Sequence, residues 1–140
     1  MAQSMNRQIR TLLRACVDDE HMLDRGERLD PSRRAPLARL ARRRVHFVSE
    51  LQQAGRTLRG VPGARASFFG EVRAARVSAM MFAAGPNAGD VLTACKASQA
   101  RLASRFATAL TGEWSASVRA VLVEIHDEVV KSRDELVALQ

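Results

Sequence analysis

From Leu37 to Leu58 the chain places Leu37, Leu40, Arg44, Phe47, Leu51, Ala54 and Leu58 at strict steps of 3, 4, 3, 4, 3 and 4. That spacing averages close to one helical turn, so it keeps a single stripe of a helix facing a partner. A strand cannot use it, because alternate residues of a strand face opposite sides. Three other segments carry the same period. The first reads Ile9, Leu13, Cys16, Glu20, Leu23 and Glu27; another reads Leu92, Cys95, Gln99, Leu102, Phe106 and Ala109. The last reads Val118, Leu122, Ile125, Val129, Ser132, Leu136 and Leu139. No strand-like alternation accompanies them, so the fold class is all-α.

Punctuation residues bound the four helices at about 5–29, 31–58, 90–111 and 116–139. Ser4 or Asn6 can cap the first, Asp30 the second, Asp90 the third, and Ser115 or Ser117 the fourth. Pro31 suits a first helical position, Gly60 and Pro62-Gly63 stop the second helix, and Gly112 lies near the end of the third. With 140 residues, 8 Gly and 4 Pro, the chain reads as one domain, 1–140, with few loops. The segment from Gly60 to Gly89 is too long for a simple turn. Ser67 can cap a shorter helix at about 67–83, with Phe68, Val72, Ala75, Ala79 and Phe82 on one face. Such a connection can cross the bundle and let the second and third long helices run parallel. That predicts a ferritin-like four-helix bundle with a long helical crossover between helices 2 and 3.

Charge narrows the function classes. The chain holds 22 Lys and Arg against 15 Asp and Glu, a net +7. Up to Arg76 there are 16 basic and 8 acidic residues, and beyond it 6 basic and 7 acidic, so the excess lies in the first half. The cluster Arg39, Arg42 and Arg43 is the candidate anion-binding patch. Aromatic residues are 4% and Tyr is absent, which leaves little for a base-stacking surface and argues against a nucleic-acid partner. Cys16 and Cys95 read as buried, reduced thiols, since no Cys-x-x-Cys pair is present. There is no membrane-length apolar run, and Met1–Arg7 has no apolar leader, so the expected location is the cytoplasm. There is also no Gly-rich phosphate loop and no readable Ser/His/Asp arrangement.

Polar residues interrupt three seams near mid-helix: Glu20, Arg44 and Gln99. Helices of one bundle bring their midpoints to similar heights, so these three are predicted to form a buried polar layer, with Glu20 paired to Arg44 and Gln99 closing the network. The alternative is a di-iron or di-manganese site. Hard divalent metals need several carboxylate oxygens, and such bundles use Glu-x-x-His on two helices. No Glu-x-x-His occurs; the candidate ligands are Glu20, Glu50, Glu124 and His126, and Arg43 and Arg44 would oppose a cation. No cofactor is therefore predicted, iron or manganese being the metals of the alternative. His21, His46 and His126 each flank a seam and read as structural.

The chain from about Ile9 to Leu139 resembles a bacterial family of ferritin-like four-helix domains of unknown function associated with stress response. Leu12-Leu13 followed by Asp18-Asp19-Glu20 carries the likeness, as do Leu40-Ala41, Arg44-x-x-Phe47-x-x-Glu50-Leu51-Gln52 and Gly70-Glu71-Val72-Arg73-x-x-Arg76. Cys95, Glu128-Val129 and Asp134 complete it. The family commonly has acids where this chain has Arg43, Lys96 and Gln99, and a His where it has Arg133. The resemblance implies the fold, a cytoplasmic location, self-association and a degenerate metal site.

Together these readings predict a non-enzymatic, stress-associated interaction or structural protein, with a homodimer as its assembly. The dimer is expected from apolar residues beyond one seam's capacity, namely Leu12, Val17 and Met22, and from Phe68-Phe69 and Met80-Met81-Phe82 in the crossover. The two alternatives are a di-metal oxidase or ferroxidase-like protein and a basic nucleic-acid-associated stress protein.

Overall fold

The first helical seam runs farther toward the N-terminus than its apolar residues alone indicate. In a computed structural model, which describes residues 2–56 and 88–139, α1 spans Ala2–Leu29. A 3-10 turn at Pro31–Arg33 leads into α2, Arg34–Arg56; α3 spans Ala88–Ala109 and α4 spans Ala116–Ala138. The described residues contain no strand. The crossover helix expected at 67–83, with its Phe and Met pairs, lies outside the described residues, as does Leu58.

The predicted seams are the buried stripes. Leu37, Leu40, Arg44, Phe47, Leu51 and Ala54 of α2 are all buried, as are Val118, Leu122, Ile125, Val129, Ser132 and Leu136 of α4. In α3, Cys95, Gln99, Leu102, Phe106 and Ala109 are buried, and Leu92 packs partly buried beside them. In α1, Ile9, Leu13, Cys16 and Leu23 are buried, while Glu20 and Glu27 are half-buried. Leu12 and Val17 are buried as well, inside the core of the single chain. Leu12 and Val17 of the apolar surplus on α1 are therefore taken up within the single chain. This follows from α1 packing against two neighbours, α2 and α3, which needs a wider stripe than one seam.

Helix contacts run α2–α1–α3–α4, and α4 closes back on α2; α1 and α4 are diagonal, as are α2 and α3. Contacts fix the directions too. Met22 near the end of α1 meets Cys95 near the start of α3, so these two are antiparallel. Arg39 and Arg43 meet Glu135 and Glu128, so α2 and α4 are also antiparallel. Consequently α2 and α3 run in the same direction.

The helix ends differ in part from the expected caps. Ser115 caps α4 by accepting the Val118 N–H at 3.3 Å. The Asp30 side chain makes no helix-cap hydrogen bond. Its carboxylate instead accepts from Ser32 Oγ at 2.7 Å and Arg33 Nη1 at 2.6 Å, bonds that hold it below the usual carboxylate range. The 3-10 geometry at Pro31–Arg33 delays the α-helix to Arg34. Asp90 lies inside α3, which begins at Ala88. Arginine side chains cover exposed C-terminal carbonyls: Arg119 donates to Leu110 O and Gly112 O, and Arg33 Nε to Leu139 O at 2.8 Å. At Gly112 a Cβ would come within 3.3 Å of both Ala109 O and Trp114 Nε1, because the indole folds back to donate to Ala109 O.

Candidate functional site: a buried polar layer and two arginine faces

The core is divided. A larger apolar cluster includes Ile9, Phe47, Leu51, Phe106, Leu122 and Ile125; a smaller one holds Leu23, Leu37, Leu40, Ala41, Cys95 and Leu136. Between them lies a polar layer of Asp19, Arg44, Ser98 and Gln99, each less than a tenth exposed. Arg44 is the largest fully buried side chain among the described residues.

Its hydrogen bonds form a closed set. Arg44 Nε donates to Asp19 Oδ2 at 2.5 Å, and Arg44 Nη2 donates to Gln99 Oε1. Gln99 Nε2 and Ser98 Oγ both donate to Asp19 Oδ1 at 2.6 Å. The Arg44 guanidinium carbon also lies 5.2 Å from the Phe47 ring centroid, within cation–π range. One cation and one anion cancel, and both oxygens of Asp19 are engaged. Within these four side chains, Arg44 Nη1 is the buried atom without a hydrogen-bond partner.

Arg44 and Gln99 are thus brought together as the seams predict, but their carboxylate is Asp19, not Glu20. The two acids sit about 100° apart on α1, one on each flank of the Cys16–Leu23 line. Only the Asp19 flank faces the bundle interior, where the side chains of Arg44 from α2 and Gln99 from α3 reach it. Cys16, Asp19 and Leu23 keep steps of 3 and 4, as do Cys16, Glu20 and Leu23 in the reverse order, so periodicity cannot choose between them. Ser98 was missed because it lies beside its seam.

Both thiols border this layer. Burial pushes the Cys16 thiol far above its usual value, more than nearby Arg44 pulls it down. Cys95 is pushed up to about 12, also by burial, and its Sγ lies 3.5 Å from Met22 O. Both are free and buried, hence protonated and unreactive at neutral pH.

The candidate metal ligands do not assemble. Glu50 is turned to His46 one turn before it, Glu124 is exposed, and His126 Nδ1 lies 3.4 Å from its neighbour Asp127. Among the described residues no three His, Cys, Asp or Glu side chains are grouped to hold a metal ion. The donor set at mid-height does not fit a di-metal centre either. It offers Asp19, already saturated and with a guanidinium against it, while Glu20 lies on the other flank of α1.

The candidate anion patch is partly neutralised across α2 and α4. Arg39 Nη2 lies 3.1 Å from Glu135, and Arg43 Nη1 lies 3.4 Å from Glu135 and 3.5 Å from Glu128. Arg42 is exposed. The opposite face is different. Between α1 and α3 a pocket of about 460 Å³ is lined by Arg7, Arg10, Arg14, Arg101 and Arg105, with Asp18 its one acid. Partial burial holds the Asp18 carboxyl above its usual value despite Arg14, His21, Arg105 and Arg101 nearby. A basic stripe at 7, 10 and 14, and a pair at 101 and 105, carry helical spacing that could have revealed this face in the sequence.

No family model, no curated protein and no solved structure matches the chain at a significant level. No described helix is long and apolar enough to cross a membrane.

Proposed function

We propose that this chain is a non-enzymatic, ferritin-like helical bundle acting in the cytoplasm as a stress-associated interaction or structural protein, its mid-height closed by a charge-neutral polar layer in place of metal. The observation that carries the reading is Asp19, whose two oxygens are taken up by Arg44, Ser98 and Gln99. A di-metal bundle gathers several carboxylates at that height. The shared direction of α2 and α3 and the neighbour order α2–α1–α3–α4 support the ferritin-like part. The layer's role is registry: two apolar clusters slide past one another with little cost, whereas a buried ion pair permits one alignment.

The test is elemental analysis of untagged protein expressed with iron and manganese supplied and purified without chelator. Substoichiometric metal, unchanged by Asp19→Asn, is the expected result. One or two metals per chain, lost on substitution of Glu20 or Glu50, would overturn the reading in favour of an oxidase.

A further inference from the structure

Five arginines converge on one bounded hollow, and their arrangement is regular. Arg7, Arg10 and Arg14 follow steps of 3 and 4 along α1, and Arg101 and Arg105 a step of 4 along α3. At a rise of 1.5 Å per residue, the α1 row extends over about 10 Å. Because the helices are antiparallel neighbours, the two rows flank the same groove from opposite sides. Asp18 is its single counter-charge. Arg7, Arg101 and Arg105 make no hydrogen bond or salt bridge to another described side chain, in contrast to Arg39 and Arg43 on the other face. The groove continues into a second hollow of about 370 Å³, where Gln8, Ser104 and Thr108 add neutral hydrogen-bonding groups.

Guanidinium forks match phosphate oxygens two at a time, and several in a row suit several phosphates in a row. A hollow of this size accommodates a small ligand. No aromatic ring lines either hollow, so nothing there would stack a base. We infer that the α1–α3 groove binds a small anion carrying a chain of linked phosphate groups, recognised through Arg7, Arg101 and Arg105. This chemistry is shared by inorganic oligophosphate and by the phosphate tail of a nucleoside triphosphate.

Isothermal titration calorimetry of the full chain with tripolyphosphate, ATP and orthophosphate tests it. Saturable one-to-one binding of tripolyphosphate, with orthophosphate at least about tenfold weaker, is expected. ATP binding as tightly as tripolyphosphate would identify the phosphate chain as the shared determinant; tripolyphosphate binding alone would identify the inorganic source. Arg101→Ser with Arg105→Ser should weaken binding at least tenfold, about one guanidinium–phosphate interaction. Arg101→Lys with Arg105→Lys, which keeps charge but loses the fork, should weaken it less. The control, Arg39→Ser with Arg42→Ser, changes net charge equally and should leave binding intact. Equal losses in the Arg101/Arg105 and Arg39/Arg42 serine pairs would reduce the attraction to the net charge of the chain and overturn the inference. Absence of saturable binding would overturn it too, as would DNA or heparin competing far better than any small phosphate.

Discussion

Two faces of this bundle treat arginine in opposite ways. Across α2 and α4, Arg39 and Arg43 meet Glu135 and Glu128, and in the interior Arg44 of α2 meets Asp19 of α1. Across α1 and α3, five arginines share a groove with one aspartate. The first face spends its positive charge on holding helices together. The second gathers its positive charge along one groove, where Asp18 is the single acid of the lining. A cationic residue therefore says little about function until its neighbours across the helix are known.

The comparison breaks most visibly at its buried extreme. Arg44→Ala leaves Asp19 charged and enclosed, and should cost about 3–5 kcal/mol in urea unfolding. Arg44→Met combined with Asp19→Leu removes both charges and should recover most of that loss, so the two single substitutions will be strongly non-additive. Glu20→Ala, half-buried and on the other flank, should cost clearly less. Equal costs for Asp19→Ala and Glu20→Ala would mean the layer is built differently.

A second effect belongs to the inner side of the α1–α3 interface. Cys95 has a raised folded value of about 12 against 9.0 unfolded. Below pH 9 both states keep the proton. As pH rises between 9 and 12 the unfolded thiol ionises and the folded one does not, so stability falls by about 1.4 kcal/mol per pH unit for each such thiol. Cys16, shifted in the same direction, adds to the slope. With no Tyr and only Lys96 and Lys131, few other side chains titrate there, so the slope is readable in denaturation against pH. Cys95→Ala should reduce it by about half; an unchanged slope would place the thiol in water.

The smallest expected difference lies between the two faces themselves. Glu135→Gln removes partners of Arg39 and Arg43 and should cost at most about 1 kcal/mol at low salt, less at high salt. Arg101→Ser, with no hydrogen-bonded or salt-bridged partner to lose, should leave stability nearly unchanged. A comparable loss in both would erase the contrast between the two faces.

Much of the fold was legible. The α2 and α4 seams are buried residue for residue through Ala54 and Leu136, because burial on a helix follows angular position and angular position follows spacing. Ser115 was readable as a cap, whereas Asp30 was not, since its carboxylate is captured by the Ser32 and Arg33 side chains. Of the polar layer, Arg44 and Gln99 stood out as breaks in apolar rows. Asp19 did not, because Asp18, Asp19 and Glu20 straddle the stripe and any of them could turn inward. Leu12 and Val17 exceed the capacity of one seam, and they are buried because α1 packs against two helices.

The amino-acid order by itself determined that this chain forms long amphipathic helices, roughly where they begin and end, and which stripe of each is apolar. These are local properties, set by spacing and by the residues at helix ends. Only the tertiary structure decided which carboxylate meets Arg44, and which arginines are neutralised and which are gathered in a groove. Those outcomes depend on what stands across the gap on another helix, and a charge finds its partner through space, not along the chain.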